Sequence, residues 1–243
     1  MKTLLIDGDI FIYQTAAAVE EPIDWGDDIW TLHGDMTLAR QTFDLEMSKL
    51  QEHLGVEKIT IALSDSKNNW RKGVLDTYKN NRKGKRKPVV YVPLRDHAEE
   101  HYDSVCLPNL EADDVLGIMA KDDGSTVIVS DDKDLKTIPG VLYIPHESKT
   151  VEISLEEADR NHLIQTLTGD SADGYKGCPG VGPVKAARIL EECTWDEVLG
   201  AYTKAGLNES VALTQARVAR ILRDGEYDFD TNVVNLWNPP IAV

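Results

Sequence analysis

Three short apolar runs constrain this chain more than any other feature: TLLID (3–7), ITIALSD (59–65) and TVIVSDD (126–132). Each is a nearly unbroken series of β-formers, the pattern of a strand buried on both faces of a sheet. Helix-like stretches separate them. Apolar residues recur from Leu38 to Leu54 and stop at Gly55, and Glu111 to Ala120 follows Pro108-Asn109. This alternation predicts an α/β fold with a mainly parallel sheet flanked by helices. All three runs also end in aspartate. Ligands of such sheets gather beyond the carboxyl ends of the strands. Asp7, Asp65 and the group Asp131, Asp132 and Asp134 would therefore meet on one edge, repelling one another unless cations sit among them.

Further carboxylates join this set. LEADDVLG supplies Glu111, Asp113 and Asp114, and TGDSADG supplies Asp170 and Asp173. Acidic residues in a helix's first turn also complement its dipole, and on a helix Glu111 and Asp114 share a face that Asp113 does not. The candidate ligands are Asp7, Asp65, Glu111, Asp113, Asp114, Asp132, Asp134, Asp170 and Asp173. An all-oxygen set suits Mg²⁺ or Mn²⁺ rather than zinc. Two such ions about 4 Å apart would activate water and stabilise the leaving oxygen of a phosphodiester. Asp9 either faces the same site or caps the turn after the first strand, and Asp131 lies at the margin of the register. His97 and His101 have the spacing of two ligands on a helix face but no third soft ligand nearby, and the adjoining Glu99 and Glu100 read as a solvated face.

The net charge of −16 argues by itself against a nucleic-acid partner. Its distribution argues the opposite: nine of the 26 basic residues fall between Lys67 and Lys87, with Asp76 the one acid there. Basic side chains mixed with Trp70 and Tyr78 suit a phosphate backbone with unpaired bases, so Arg71, Tyr78 and Lys83 are read as DNA contacts. In GCPGVGPVKAA, Gly177, Gly180 and Gly182 would let backbone amides approach a phosphate, with the helix opening at Pro183 and Lys185 beside them. An ordinary interhelical turn with glycine caps would look the same.

After about residue 150 the texture becomes helical, beginning with Ser154 and Glu157 at capping-box spacing. Cys106, Cys178 and Cys193 form no CxxC pair and read as reduced thiols. No apolar run approaches the ~20 residues of a membrane span, and MKTLLIDGD is too short for a signal peptide. The expected location is the cytoplasm, away from any membrane.

Taken together, these motifs resemble the flap-endonuclease and 5′→3′ exonuclease superfamily. The resemblance rests on strand-end Asp7 and Asp65, Glu111-x-Asp113-Asp114, Asp132-Lys133-Asp134, Asp170-x-x-Asp173, and Gly177, Gly180, Gly182 and Ala186 at helix–three-turn–helix spacing. SDSKNNWRKGVLDTYKNNRK, SDDKDLKTIP, GDSADGYKG and ARILRDGEYDF are similar, more narrowly, to the exonucleases of T7-like bacteriophages. The resemblance implies a PIN-like nuclease core over 1–153 with a basic arch near 66–95, and a helix–three-turn–helix DNA-binding region over 154–243. It also implies two Mg²⁺ or Mn²⁺ ions, with Lys79 and Arg82 stabilising charge at the scissile phosphate, and K⁺ at the hairpin. The implied substrates are double-stranded DNA with 5′ ends, nicks or flaps, and RNA–DNA hybrids, cut by a monomer in the cytoplasm of an infected host. The alternatives are a structure-specific flap endonuclease, a non-catalytic DNA-end-binding protein, and a PIN-type ribonuclease, which the hairpin and the long basic segment oppose.

Overall fold

A computed structural model describes residues 2–240. Its three central strands are the three apolar runs: β1 (Thr3–Asp7), then β4 (Lys58–Leu63) and β6 (Thr126–Val129), the latter two ending short of their aspartates. Between β1 and β4 lie α1 (Gly8–Ala18), β2 (Glu20–Asp24), β3 (Trp30–Gly34) and α2 (Met36–Leu54). Between β4 and β6 lie α3 (Arg71–Val74), α4 (Tyr91–His101), β5 (Asp103–Cys106) and α5 (Ala112–Met119), and β7 (Gly140–Ile144) and β8 (Lys149–Ile153) follow.

The sheet order is β5–β4–β1–β6–β7–β8, parallel throughout except for β8. Alternation across the pleat explains the unbroken apolar runs. Leu4, Ile6, Ile61, Val127 and Val129 face one core with α1, α2 and α4, while Leu5, Ala62 and Ile128 face a second core with α5. Local signals close the helices. Asp35 caps α2 by accepting the Thr37 and Leu38 N–H groups, and Gly55 ends it at φ 62°. Gly8 is dictated by packing, because a Cβ there would lie 2.5 Å from Ile61 and 2.7 Å from the Ala62 carbonyl oxygen. That close approach seats the start of α1, with Asp7 and Asp9, against the strand ends.

Ser154 caps α6 (Leu155–Thr168) in a reciprocal capping box with Glu157. α7 (Pro183–Ile189), α8 (Trp195–Lys204) and α9 (Glu209–Ala219) follow, then a small ribbon of β9 (Tyr227–Asp228) and β10 (Val233–Val234). The helical region surrounds its own core of Leu163, Leu167, Tyr202 and Ala212. Its last segment returns to the sheet, where Ile221, Leu222 and Tyr227 pack with α5. Among the described residues no helix is long and apolar enough to cross a membrane, and all three cysteines are free thiols.

Two features lay outside the sequence reading. Strands β2 and β3 form a separate two-stranded ribbon that leaves Trp25, Ile29, Trp30 and Leu32 exposed among Glu21, Asp24, Asp27 and Asp28. The basic segment between β4 and α4 holds only the single turn of α3 and one further turn at Asn80–Arg82.

Candidate active site

The carboxyl edge of the sheet is an acidic cleft of about 480 Å³. Its lining includes Asp7, Asp9, Glu111, Asp113, Asp132, Asp134, Asp170 and Asp173, with Lys79, Arg82 and Lys133 the basic side chains among them. Seven of the nine expected ligands therefore meet, and Asp9, which sequence left between two roles, joins them.

Each acid is held by the element that delivers it. Asp7 caps α1, accepting the Ile10 N–H at 3.2 Å, and its other oxygen accepts the Ser130 hydroxyl at 2.7 Å. Ser130 also accepts the Asp132 N–H at 3.0 Å, so one serine locks the ends of β1 and β6 together. Asp132 caps the turn Lys133–Thr137, and Gln165 from α6 donates to Asp134 at 2.8 Å. Asp170 accepts the N–H groups of Ala172 and Asp173 within its loop.

The electrostatics divide this cleft. Burial pushes Asp7 up to about 7, with Asp9 and Asp132 adding to the effect, and Asp113 rises in the same way beside Asp7 and Asp132. Burial and Asp132 likewise push Asp134 up to about 7. Lys79 near Asp113 and Lys133, 4.0 Å from Asp134, offset this only in part. Burial alone would raise Glu111 too, yet Lys79 and Arg71 pull it down to about 2. Both Glu111 oxygens are engaged, one by Lys79 and the other by Arg71 at 3.0 Å and the Tyr78 hydroxyl at 2.8 Å. Asp173 is held by Arg82 at 2.6 Å, Tyr78 at 3.0 Å and Lys79 at 3.4 Å.

The donor set fits hard divalent cations: clustered carboxylates at the site, several short of positive partners. Asp9 Oδ1 is the one buried side-chain polar atom among the described residues with no hydrogen-bond partner. The acids are not drawn into a ready-made cage, because no three His, Cys, Asp or Glu side chains among the described residues are gathered closely enough to hold a metal.

Several sequence expectations require correction. Asp65 lies outside the cleft lining, because its carboxylate accepts the backbone N–H groups of Lys67, Asn68 and Asn109 and ties two loops together. Asp114 is fully buried behind the cleft, gripping Arg71 at 2.7 and 2.8 Å and accepting the Trp70 indole N–H at 3.0 Å. Arg71 is no surface DNA contact. It is 3% exposed and donates also to the Val218 and Arg220 carbonyls. Tyr78, 2% exposed and packed on Tyr175 and Val218, has no face free for a base. Gly177 cannot offer its amide to phosphate, since that N–H donates to Gln215 at 2.8 Å. Its φ of 64° and close contact with Gly169 explain the glycine instead. Asp131 is drawn aside by His146, whose Nδ1 lies 2.7 Å away.

The remaining expected contacts are exposed. Lys83 lies on the basic segment, Gly180 and Gly182 lie on the turn between α6 and α7, and Lys185 in the first turn of α7 donates to the Gly180 carbonyl at 3.1 Å. A second groove of about 940 Å³ adjoins the cleft, lined by Tyr13, Tyr91, Arg82, Lys85, Arg86 and Lys87. Glu20 holds Arg86 at its rim through bonds of 2.7 and 2.5 Å. Sequence reasoning missed Ser130, Gln165, Tyr13 and Glu20. Only Ser130 carried a signal, as the polar residue between a buried strand and its terminal acids.

A family model described as "5'-3' exonuclease, N-terminal resolvase-like domain" matches residues 2–160. The exodeoxyribonuclease of Enterobacteria phage T3 is 32% identical, across 97% of this chain and 92% of that protein. The exonuclease of Escherichia phage T7 is also 32% identical, across 97% and 93%. The chain belongs to the 5′→3′ exonuclease family. It is an α/β nuclease of that family, with a PIN-like fold. The structure titled as T5 D15 protein co-crystallised with metal ions matches with a TM-score of 0.68 at 14% identity, covering 90% of this chain and 89% of that one. T5 5′-exonuclease with bound zinc matches with a TM-score of 0.67 at 12% identity. At these identities the likeness concerns the fold, whose members include proteins holding divalent metal ions.

Proposed function

We propose that this nuclease hydrolyses duplex DNA from 5′ ends, with two divalent cations, Mg²⁺ or Mn²⁺, held among Asp7, Asp113, Asp132, Asp134, Asp170 and Asp173. The observation that carries the reading is the meeting of these acids, from separate elements, beside a basic and aromatic groove. Bound there, such ions supply an activated water and charge neutralisation at the leaving oxygen.

The chain's own residues do the rest. Ser130, Gln165 and the turn at Asp170 fix the carboxylates so that they need no reorganisation. Lys79 and Arg82 stand at the cleft wall where they can meet the non-bridging oxygens of a phosphate. Lys83, Lys85 and Lys87 hold the backbone without reading sequence, while Gly180, Gly182 and Lys185 grip the duplex further along. The proposal extends to K⁺ at that turn, where the Gly180 carbonyl already draws an ammonium group. It also extends to RNA–DNA hybrids and to action as a monomer. The curated relatives include a flap endonuclease of Shewanella oneidensis, 26% identical over 89% of this chain. The roomy groove beside the cleft favours cutting of branched 5′ ends as a second activity.

The test is a duplex labelled in turn at its 5′ and 3′ ends, incubated with and without Mg²⁺ beside Asp132→Asn. Early, metal-dependent release of the 5′ label, lost in the variant, is the expected result. Parallel blunt, flapped and RNA–DNA substrates decide the preference. Binding without cleavage of any of them would leave a DNA-end-binding module.

A further inference from the structure

Resting on the two-ion reading, we propose that Lys79 is an internal counter-ion, held in a cation's place until a substrate phosphate draws it away, so that metal and DNA binding are coupled. The Lys79 ammonium lies between Glu111 and Asp173 while its backbone N–H is fixed to the Asp173 carbonyl at 2.8 Å. That backbone bond ties the main chain to the cleft wall, while the four-carbon side chain is flexible.

Its neighbours show which cations can exchange partners. Arg71 also pairs with Glu111, but it is buried, with donors committed to Asp114 and to two carbonyls. Leaving would orphan a buried charge. From the cleft side Lys79 reaches Glu111 and Asp173 and Arg82 reaches Asp173, with side chains 17% and 51% exposed. Both border the cleft, so an arriving anion can take a carboxylate's place beside either.

A divalent cation entering against Asp173 meets the Lys79 ammonium, 3.4 Å from that carboxylate. Like charges a few ångströms apart beside the protein interior repel more strongly than in bulk water. The ion binds well only once Lys79 swings out, and a phosphate at the cleft mouth offers it a partner of equal charge type. Linkage makes the effect mutual: DNA tightens the metal and the metal tightens DNA.

Mn²⁺ titration calorimetry on the full chain tests this in wild type, Lys79→Met and Lys79→Arg, with melting temperatures confirming the fold. Lys79→Met is expected to bind Mn²⁺ about tenfold tighter, inside the ~5–150-fold range of such couplings, and Lys79→Arg to match wild type. A short duplex with hydrolysis-resistant phosphorothioate 5′ linkages should tighten Mn²⁺ in wild type and leave Lys79→Met unchanged. Equal or weaker binding by Lys79→Met, or equal tightening by DNA in both proteins, overturns the coupling and leaves the two-ion reading standing. No Mn²⁺ binding by wild type, with or without DNA, overturns both.

Discussion

Asp113 and Asp114 are consecutive on α5, yet they belong to opposite kinds of region. Asp114 sits in a wall where every charge has a protein partner: Arg71 grips it in two places, Trp70 donates to it, and the Leu222 N–H completes it. Asp113 sits on a floor with Asp7 and Asp132, where acids face acids and burial raises the affinity of Asp113 and Asp7 for protons. The wall is finished by folding. The floor is left electrostatically incomplete, which is the condition for binding a cation from outside. Identical side chains one residue apart thus serve architecture and chemistry, and the choice is made by what the rest of the chain brings to each face of the helix.

The sharpest way to break this contrast is a pair of matched substitutions. Asp113→Asn should cost more activity than the ~10–100-fold loss typical of removing an outer partner of a metal ligand, while leaving the melting temperature unchanged or raised. Asp114→Ala should do the reverse in kind, destabilising the fold by ~3–5 kcal/mol by stranding buried Arg71, as read by urea unfolding. Equal behaviour of the two variants would dissolve the distinction.

The floor also predicts a pH dependence. Asp7 has an ordinary value of 3.8 and a folded value of about 7, so between those limits the native state keeps a proton that the unfolded chain has released. The contribution of Asp7 to stability in the presence of a chelator is therefore complete below about pH 4 and is lost as pH rises to 7, by a few kcal/mol in order of magnitude, with Asp134 contributing in the same direction. Melting curves from pH 4 to 9 check the sign, and saturating Mg²⁺ should reverse the slope. The smallest effect belongs to Gln165→Leu, which frees Asp134 without removing it. Metal affinity should weaken ~10–100-fold with little change in melting temperature.

Much of this was legible in the sequence where burial is local and periodic. The runs of β1, β4 and β6 declare themselves because both faces of those strands are apolar, and Asp7, Asp132 and Asp134 follow from their ends. The orientation of α5 was not legible, because what separates neighbouring acids in its first turn is supplied by distant parts of the chain, such as Arg71, 43 residues away from Asp114, and Leu222, 108 residues away. The same long-range pairing hid the burial of Arg71 and Tyr78 inside a segment whose composition resembles a solvated loop. The ribbon of β2 and β3 escaped notice for the opposite reason: it buries little, so its aromatic residues show no alternation between an inner and an outer face.

Trp70 donates to Asp114 at 3.0 Å and lies under the Arg71 guanidinium, 4.6 Å from the ring centroid. The other four indoles are distant from this wall in role: Trp25 and Trp30 are bathed in solvent, and Trp195 and Trp237 stack edge to face beside the helical region. The protein thus contains its own optical gauge. Replacing those four with phenylalanine would leave one fluorophore whose emission follows the wall directly, and loosening of the Arg71–Asp114 clasp could be watched by light alone.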